Sequence, residues 1–430
     1  MSIFDTAKMI IHEGPICDNC MGRQFAKLST GLTNAQRGNS LKMALAMEGH
    51  RIHKEEGDDS LLRELASSSG YVRKVLGVHG EDERCWVCLG LFIDLEKWAD
   101  LAVAALEGLE YSSFLVGTKV SGLLSENEEI LWSECSIAHA EQLKTEMNRE
   151  VGKLIASRTG KVVDFEKPEI VVMLDLAAET LSLQIRSLYI EGRYKKLIRG
   201  IPQTRWPCRN CKGRGCEKCN FTGKQYPESV DELIKKDVVD AASAADTAFH
   251  GAGREDIDAL MLGSGRPFVV EAISPRIRTI DLKQLQEAIN THAGGKVEVH
   301  GLQVVSKDTV EKLKAAHADK VYNLKVTFTD PVSKEELISA LESLSGAEIQ
   351  QRTPQRVSHR RADLIRKRYV HVIELLGWEA DHAIVRVSCE GGLYVKELVS
   401  GDEGRTVPSL TGILGKQATV AELDVVNVDI

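Results

Sequence analysis

Two kinds of residue in this chain could do chemistry: carboxylates on a glycine-bounded loop, and cysteines in close pairs. The loop is Gly251-Ala-Gly-Arg-Glu-Asp256-Ile-Asp258, running on through Met261-Leu-Gly-Ser-Gly-Arg-Pro-Phe268 into an apolar strand candidate, Phe268 to Ala272. Glycine lets a backbone turn tightly and lets a second chain come close. An acidic segment between such turns can therefore present a carboxylate in one fixed position. On the residues alone three chemistries stay open. The segment could be the solvated acidic tip of a hairpin, Asp256 and Asp258 could grip a hard divalent cation, or one carboxylate could be a nucleophile.

Eight of the ten cysteines fall in Cys-x-x-Cys pairs: Cys17/Cys20, Cys85/Cys88, Cys208/Cys211 and Cys216/Cys219. In a reducing compartment such pairs grip zinc rather than form disulfides, each supplying two thiolates from one turn. The run from Cys208 to Cys219 can close a four-thiolate site by itself and resembles the zinc knuckles of the DnaJ cysteine-rich region. Cys17/Cys20 and Cys85/Cys88 are joined by elimination. The spacings do not favour an iron–sulfur cluster. Two structural zinc sites are expected, with Cys135 and Cys389 as buried thiols.

These groups need elements to hold them. A chain of 430 residues implies two or three domains. No apolar run reaches the roughly 20 residues that span a bilayer, and the N-terminus lacks the organisation of a signal peptide. The expectation is a cytoplasmic protein without a membrane. Short helices are expected over 2–13, 40–48 and 61–70, a helix over 96–107, a strand over 113–120, a long helix over 138–157, and strands over 169–175 and 181–188. This α+β unit resembles the THUMP-type RNA-binding modules of tRNA-modifying enzymes. Beyond Asp237, strands over 267–272, 295–305, 321–329 and 383–389 alternate with helices over 282–292 and 334–344, which predicts a large mixed sheet covered by helices. The fold class is thus a multidomain α+β/α/β protein. The expected divisions are a zinc-pinned helical segment (1–90), the THUMP-like unit (91–205), a zinc knuckle and linker (206–235) and a catalytic domain (236–430).

The formal charge of −8 at first argues against a nucleic-acid partner. What matters is where positive charge gathers. It gathers between Tyr189 and Lys224, where only Glu191 and Glu217 oppose it, and again from Arg352 to Arg368. Arginine grips phosphate bidentately, and Tyr189, Tyr194, Trp206 and Tyr369 offer stacking surfaces nearby. RNA is the partner these residues favour.

Gly253-Arg-Glu-Asp256, Lys320-Val-Tyr322 and Gly392-Leu-Tyr-Val-Lys396 occur in the order and form of the three active-site motifs of pseudouridine synthases. Further strings are similar to the archaeal and eukaryotic tRNA pseudouridine synthases that act on the T-loop: Gly192-Arg-Tyr, Gln203-Thr-Arg-Trp, Leu262-Gly-Ser-Gly-Arg-Pro-Phe, Arg352-Thr-Pro-x-Arg-Val-x-His-Arg-Arg361 and Gly401-Asp-x-Gly-Arg-Thr-x-Pro-Ser409. One departure is Ala259-Leu260, where related families often carry an arginine. The resemblance implies isomerisation of uridine at tRNA position 55, and commonly 54, without a catalytic cofactor. It makes Asp256 the nucleophile, Lys396 its basic partner, Tyr322 the ring that stacks on the target base, and Leu398 the apolar wall of the pocket. Arg254, Arg193, Lys195, Arg352, Arg356, Arg360 and Arg361 become the RNA contacts. No obligate protein partner is evident. The competing readings are a zinc-stabilised RNA-binding adaptor without catalysis, and a THUMP-linked methyltransferase, which lacks its Gly-x-Gly-x-x-Gly after a strand.

Overall fold

The computed structural model describes residues 2–316, 318–379 and 381–429, without the side chain of Arg360. Backbone packing divides the chain between Arg186 and Ser187 into two units.

In the first unit the helices begin where the sequence supplies a cap. Ser2 and Asp5 form a capping box on Ile3–His12, as do Thr33 and Gln36 on Asn34–Glu56. Strands β1 (Ser113–Lys119), β2 (Val162–Val163), β3 (Ile170–Asp175) and β4 (Thr180–Ile185) form a sheet in the order β2-β1-β3-β4, with β1 parallel to both its neighbours. Helices Leu95–Leu106 and Leu143–Thr159 pack on each other, and the second lies on β1. One apolar core extends from Ala7 to Leu176 and takes in Met21, Leu45, Leu62, Phe114 and Val151. The expected division at residue 90 is therefore absent. The early helices carry enough apolar side chains to share a core with the sheet.

The second unit is built on a ten-stranded sheet. Its strands are β5 (Leu188–Lys196), β6 (Asp246–Gly251), β7 (Leu260–Ile273), β8 (Val297–Val305), β9 (Asp319–Phe328), β10 (Glu348–Arg352), β11 (Ile365–Trp378), β12 (His382–Cys389), β13 (Thr406–Val407) and β14 (Ala418–Asp429). The order is β13-β10-β11-β12-β9-β14-β7-β5-β8, with β6 paired to β7. The sheet is mixed, as expected, because β14 runs parallel to β7 while its other neighbours are antiparallel. At the parallel join, Gly263 has φ +57, and a Cβ there would run into the Val426 carbonyl oxygen. Helices Val230–Ala242, Leu282–Ala293 and Lys334–Leu344 bury apolar faces in the core under the sheet.

The expected boundaries at 205/206 and 235/236 are corrected here. β5 lies between β7 and β8, and Ile190, Tyr194 and Ile201 belong to the same core as Val270 and Val385. The stretch from Leu188 to Lys196 reads as a basic segment, yet it is an interior strand.

Candidate active site

The acidic loop joins β6 to β7 and is held by buried polar side chains. Lys196 Nζ, on a fully buried side chain, donates to the carbonyls of Ile201, Asp256 and Ile257 at 3.0, 3.1 and 3.2 Å. Gln203 Nε2 donates to Gly253 O at 3.0 Å and to Tyr194 Oη at 2.8 Å. Arg266 Nη1 donates to Ala252 O at 2.7 Å. Glu255 points inward from the loop and takes Arg266 Nε at 2.8 Å and the Tyr194 hydroxyl at 2.8 Å. Burial pushes the Lys196 ammonium down and the Tyr194 phenol up from their ordinary ranges, with Glu255 nearby in both cases. A buried Glu–Arg pair is stable only when its remaining hydrogen bonds are made, and here they fix the backbone on both sides of Asp256. With Glu255 turned in, Arg254 is exposed and the Asp256 side chain is 39% exposed.

Two cations meet Asp256 Oδ2: Arg356 Nη1 at 3.5 Å and Lys396 Nζ at 3.4 Å. Lys396 also reaches Asp258 Oδ2 at 2.9 Å, and Arg356 Nε rests on Glu397 Oε1 at 2.6 Å. Burial pushes the Asp258 carboxyl up, but the hydrogen bond and charge of Lys396 outweigh it and hold the group below its usual range. The position between the two aspartates is thus taken by an ammonium rather than left for a divalent cation.

Around this pair opens a cleft of about 810 Å³. Among the described residues, eight cationic side chains and two carboxylates line it. Tyr322 and Lys320 project from β9 two residues apart, on one face of the strand. Burial, reinforced by Cys389, raises the Tyr322 phenol well above its usual range, so the group stays neutral at physiological pH. Gln351, itself buried, donates to Tyr394 O at 2.9 Å and accepts from Tyr394 N at 2.8 Å, which fixes the turn leading into Lys396. Arg356 also lies 5.9 Å from the centre of the Tyr394 ring.

The structure brings Asp256, Tyr322, Lys396, Arg254, Arg356 and Arg361 together on this cleft. Arg366 and Arg368 join them, both from β11. Other expected site residues lie elsewhere. Leu398 is fully buried in the core, and the apolar wall is Leu393, Val395, Leu423 and Val425. Arg193 points its guanidinium at backbone carbonyls, at 2.7 Å from both Ser264 O and Val428 O and 2.9 Å from Gly265 O, so it straps strands together. Lys195 pairs with Glu298 at 3.5 Å, and Arg352 is held by Asp363 at 2.6 Å. The Arg360 side chain lies outside the described residues.

Both four-cysteine groups assemble as expected, their sulfurs all within 4.8 Å of one another in each group. Cys17 Sγ is 3.7 Å from Cys88 Sγ, and the knuckle has Cys208–Cys216 at 4.0 Å, Cys211–Cys219 at 3.8 Å and Cys216–Cys219 at 3.7 Å. A tetrahedral ion with bonds of about 2.3 Å to sulfur sets its ligands roughly 3.8 Å apart. Backbone N–H groups of Gly215 and Gly223 donate to Cys211 and Cys219 at 3.2 and 3.3 Å, which suits thiolates. Both groups can hold a metal ion. Cys135 and Cys389 are buried and free, as expected.

Loop, cleft and sheet define the class: a pseudouridine-synthase catalytic unit, preceded by a THUMP-type α+β unit. Models of the Pus10 C-terminal region and the archaeal Pus10 THUMP domain match residues 189–429 and 98–175. The chain belongs to the Pus10 family. It is 54% identical over 428 residues to the tRNA pseudouridine synthase Pus10 of Methanothrix thermoacetophila, covering 99% of this chain and 94% of that one. It is 43% identical over 430 residues to the protein of the same name from Methanocaldococcus jannaschii, covering 97% and 93%. Among solved structures, a Cbf5-Nop10-Gar1 complex aligns with 46% of this chain and 45% of its own at 18% identity and a TM-score of 0.31. Among the described residues no helix is long and apolar enough to cross a membrane.

Proposed function

We propose that this chain isomerises uridine to pseudouridine in the T-loop of tRNA, at position 55 and also at 54, with Asp256 as nucleophile. The observation that carries the reading is the setting of Asp256: its loop backbone is fixed from below, and Arg356 and Lys396 stand at its carboxylate inside a cationic cleft. The relatives' common name supports the substrate class.

The reaction conserves all atoms. The C1′–N1 bond breaks as the carboxylate engages the nucleoside, the uracil turns over, and a C1′–C5 bond forms. The C5 proton is lost and N1 gains one. Asp256 needs to be ionised and placed, not activated, so the paired cations serve to hold it. A base inside a stack cannot be reached, so the target must be extruded into the cleft. Tyr322 stacks on it, and its neutral hydroxyl can carry a proton during the exchange. Arg254, Arg361, Arg366 and Arg368 meet the phosphates on either side.

The two cysteine groups hold structural zinc and take no part in the chemistry. Metal analysis should return two zinc ions per chain, and less than one would exclude occupancy of both. The functional test is the purified chain with an unmodified tRNA transcript, followed by mapping of pseudouridine. Asp256→Asn keeps the shape without the anionic oxygen, so product should be undetectable while tRNA still binds. Robust turnover by that variant would end the aspartate mechanism. A wild-type chain that binds tRNA but forms no pseudouridine would return the protein to the adaptor reading.

A further inference from the structure

We infer that the Cys208–Cys219 knuckle is an RNA-docking surface that presents Phe221 as a platform for an unpaired base of the tRNA. The inference rests on the functional reading above and extends it to a part of the molecule outside the cleft. Phe221 is 74% exposed, the second most exposed aromatic ring among the described large hydrophobic residues. Its backbone sits at φ +60, after Asn220 at φ +48. A bulky residue in that region is an outlier that persists only when its surroundings impose it. Here they do. Phe221 N donates to Cys216 O at 2.9 Å, and Gly215 leaves room for the Phe221 carbonyl, which a Cβ at 215 would meet at 2.8 Å. A metal-held turn thus keeps an apolar ring in water and in a strained conformation. Such strain points to a surface made for binding.

The surrounding charge says what is bound. Of the basic residues between Arg193 and Lys224, the first four are occupied within the unit: Arg193 and Lys196 on carbonyls, Lys195 on Glu298, Arg199 on Asp424. The charge left outward is on Arg205 and on the knuckle, where Arg209, Lys212, Arg214 and Lys218 are all exposed. A rigid ring among cations matches a base flanked by phosphates, since every base offers a π-face. The surface also connects with the cleft. Tyr226, which lines a groove with Arg209 and Lys218, meets the Trp206 ring edge-on at 5.8 Å, and Arg254 lies 5.3 Å from the Trp206 centroid. Arg254 is two residues from Asp256. A bound strand could thus pass from knuckle to catalytic loop over continuous aromatic and cationic surface.

The test uses the full chain and an unmodified tRNA transcript, with affinity measured across a salt series and wild-type pseudouridine formation measured in parallel. Phe221→Ala should weaken tRNA binding roughly five- to hundred-fold with metal content and salt slope unchanged, because stacking releases no counterions. Phe221→Trp should retain wild-type affinity. Lys212→Ala with Lys218→Ala should flatten the salt slope by about one to two. Wild-type affinity in Phe221→Ala, or an equal loss in Phe221→Trp, would overturn the inference. A wild-type chain that binds tRNA without modifying it would instead defeat the functional reading, while the affinities of the Phe221 variants would still decide this one.

Discussion

At Lys396 a single ammonium serves two carboxylates, and this predicts a division between activity and stability. Lys396 is 26% exposed and its pairs are open to water, where an ion pair contributes about 0–1 kcal/mol. Lys396→Met should therefore shift Tm by only a degree or two while turnover falls by about a hundred-fold or more, the loss typical of one electrostatic group at a reacting centre. A large drop in Tm would show that the lysine braces the loop rather than the chemistry. Glu255 should behave in the opposite way. Removing one member of a buried pair costs about 3–5 kcal/mol, so Glu255→Gln should lower Tm by roughly 10 °C and take activity with it; thermal melts and turnover on the same preparation check this. Sequence shows the difference only in part. That Asp256, Tyr322 and Lys396 meet on one cleft is legible because each lies in a motif that the resemblance assigns to a single site. Leu398 is misread because the side chain of a short helix can face the core or the cleft, and the sequence motif does not say which. The inward turn of Glu255 depends on Arg266, Tyr194 and Gln203, which meet only after folding. A charged Arg266 against the apolar run of Pro267 to Val270 was the available hint.

At the scale of elements, the strands whose apolar residues alternate cleanly were legible. β8, β9 and β12 lie where periodicity puts them, and Lys334–Leu344 begins at its Ser333/Glu336 capping box. β5 and β11 were not, because clustered charges break the alternation in each, from Glu191 to Lys196 in β5 and from Arg366 to Arg368 in β11. In β5 the charge of Arg193 is satisfied by carbonyls of other strands and that of Lys196 by carbonyls of the loops at Ile201 and Asp256, a condition that leaves no mark in local composition. In β11 Arg366 and Arg368 face the cleft, and apolar residues fall on both sides, Val370 and Ile373 buried but Ile365 and Val372 exposed, so hydrophobicity does not mark one face. The loop from Thr353 to Asp363 that delivers Arg356 is closed at its base by Arg405, which donates to Thr353 O at 2.7 Å and to Asp363 at 3.1 Å. Arg405→Lys cannot make both contacts in one plane. It should reduce turnover on saturating tRNA more than it reduces tRNA affinity, because Arg356 loses its place at Asp256. Equal losses would assign Arg405 to binding.

For the whole molecule, the division at Arg186 makes a prediction that the expected boundaries do not share. A fragment of residues 187–430 retains β5 and its core and should unfold in a single cooperative transition. A fragment starting at 206 loses an interior strand, leaves β7 and β8 with unpaired edges, and should aggregate. Circular dichroism melts of the two fragments distinguish these outcomes, and two folded fragments would refute the placement of β5. The longer fragment also lacks the THUMP-type unit, so its tRNA affinity should fall below that of the full chain. The knuckle has the reverse relation to its surroundings. The chain leaves for it at Pro207 and returns at Lys224, and those two residues are bridged as neighbours, with Cys208 N on Gly223 O at 2.8 Å and Gln225 N on Trp206 O at 2.9 Å. Everything between is a detour whose ends already touch. It could be cut out and closed with a tight hairpin turn, or exchanged for the fingertip of another protein, without the enzyme beneath losing a strand. That makes the knuckle a replaceable part, through which substrate preference could be re-engineered while the catalytic loop stays as it is.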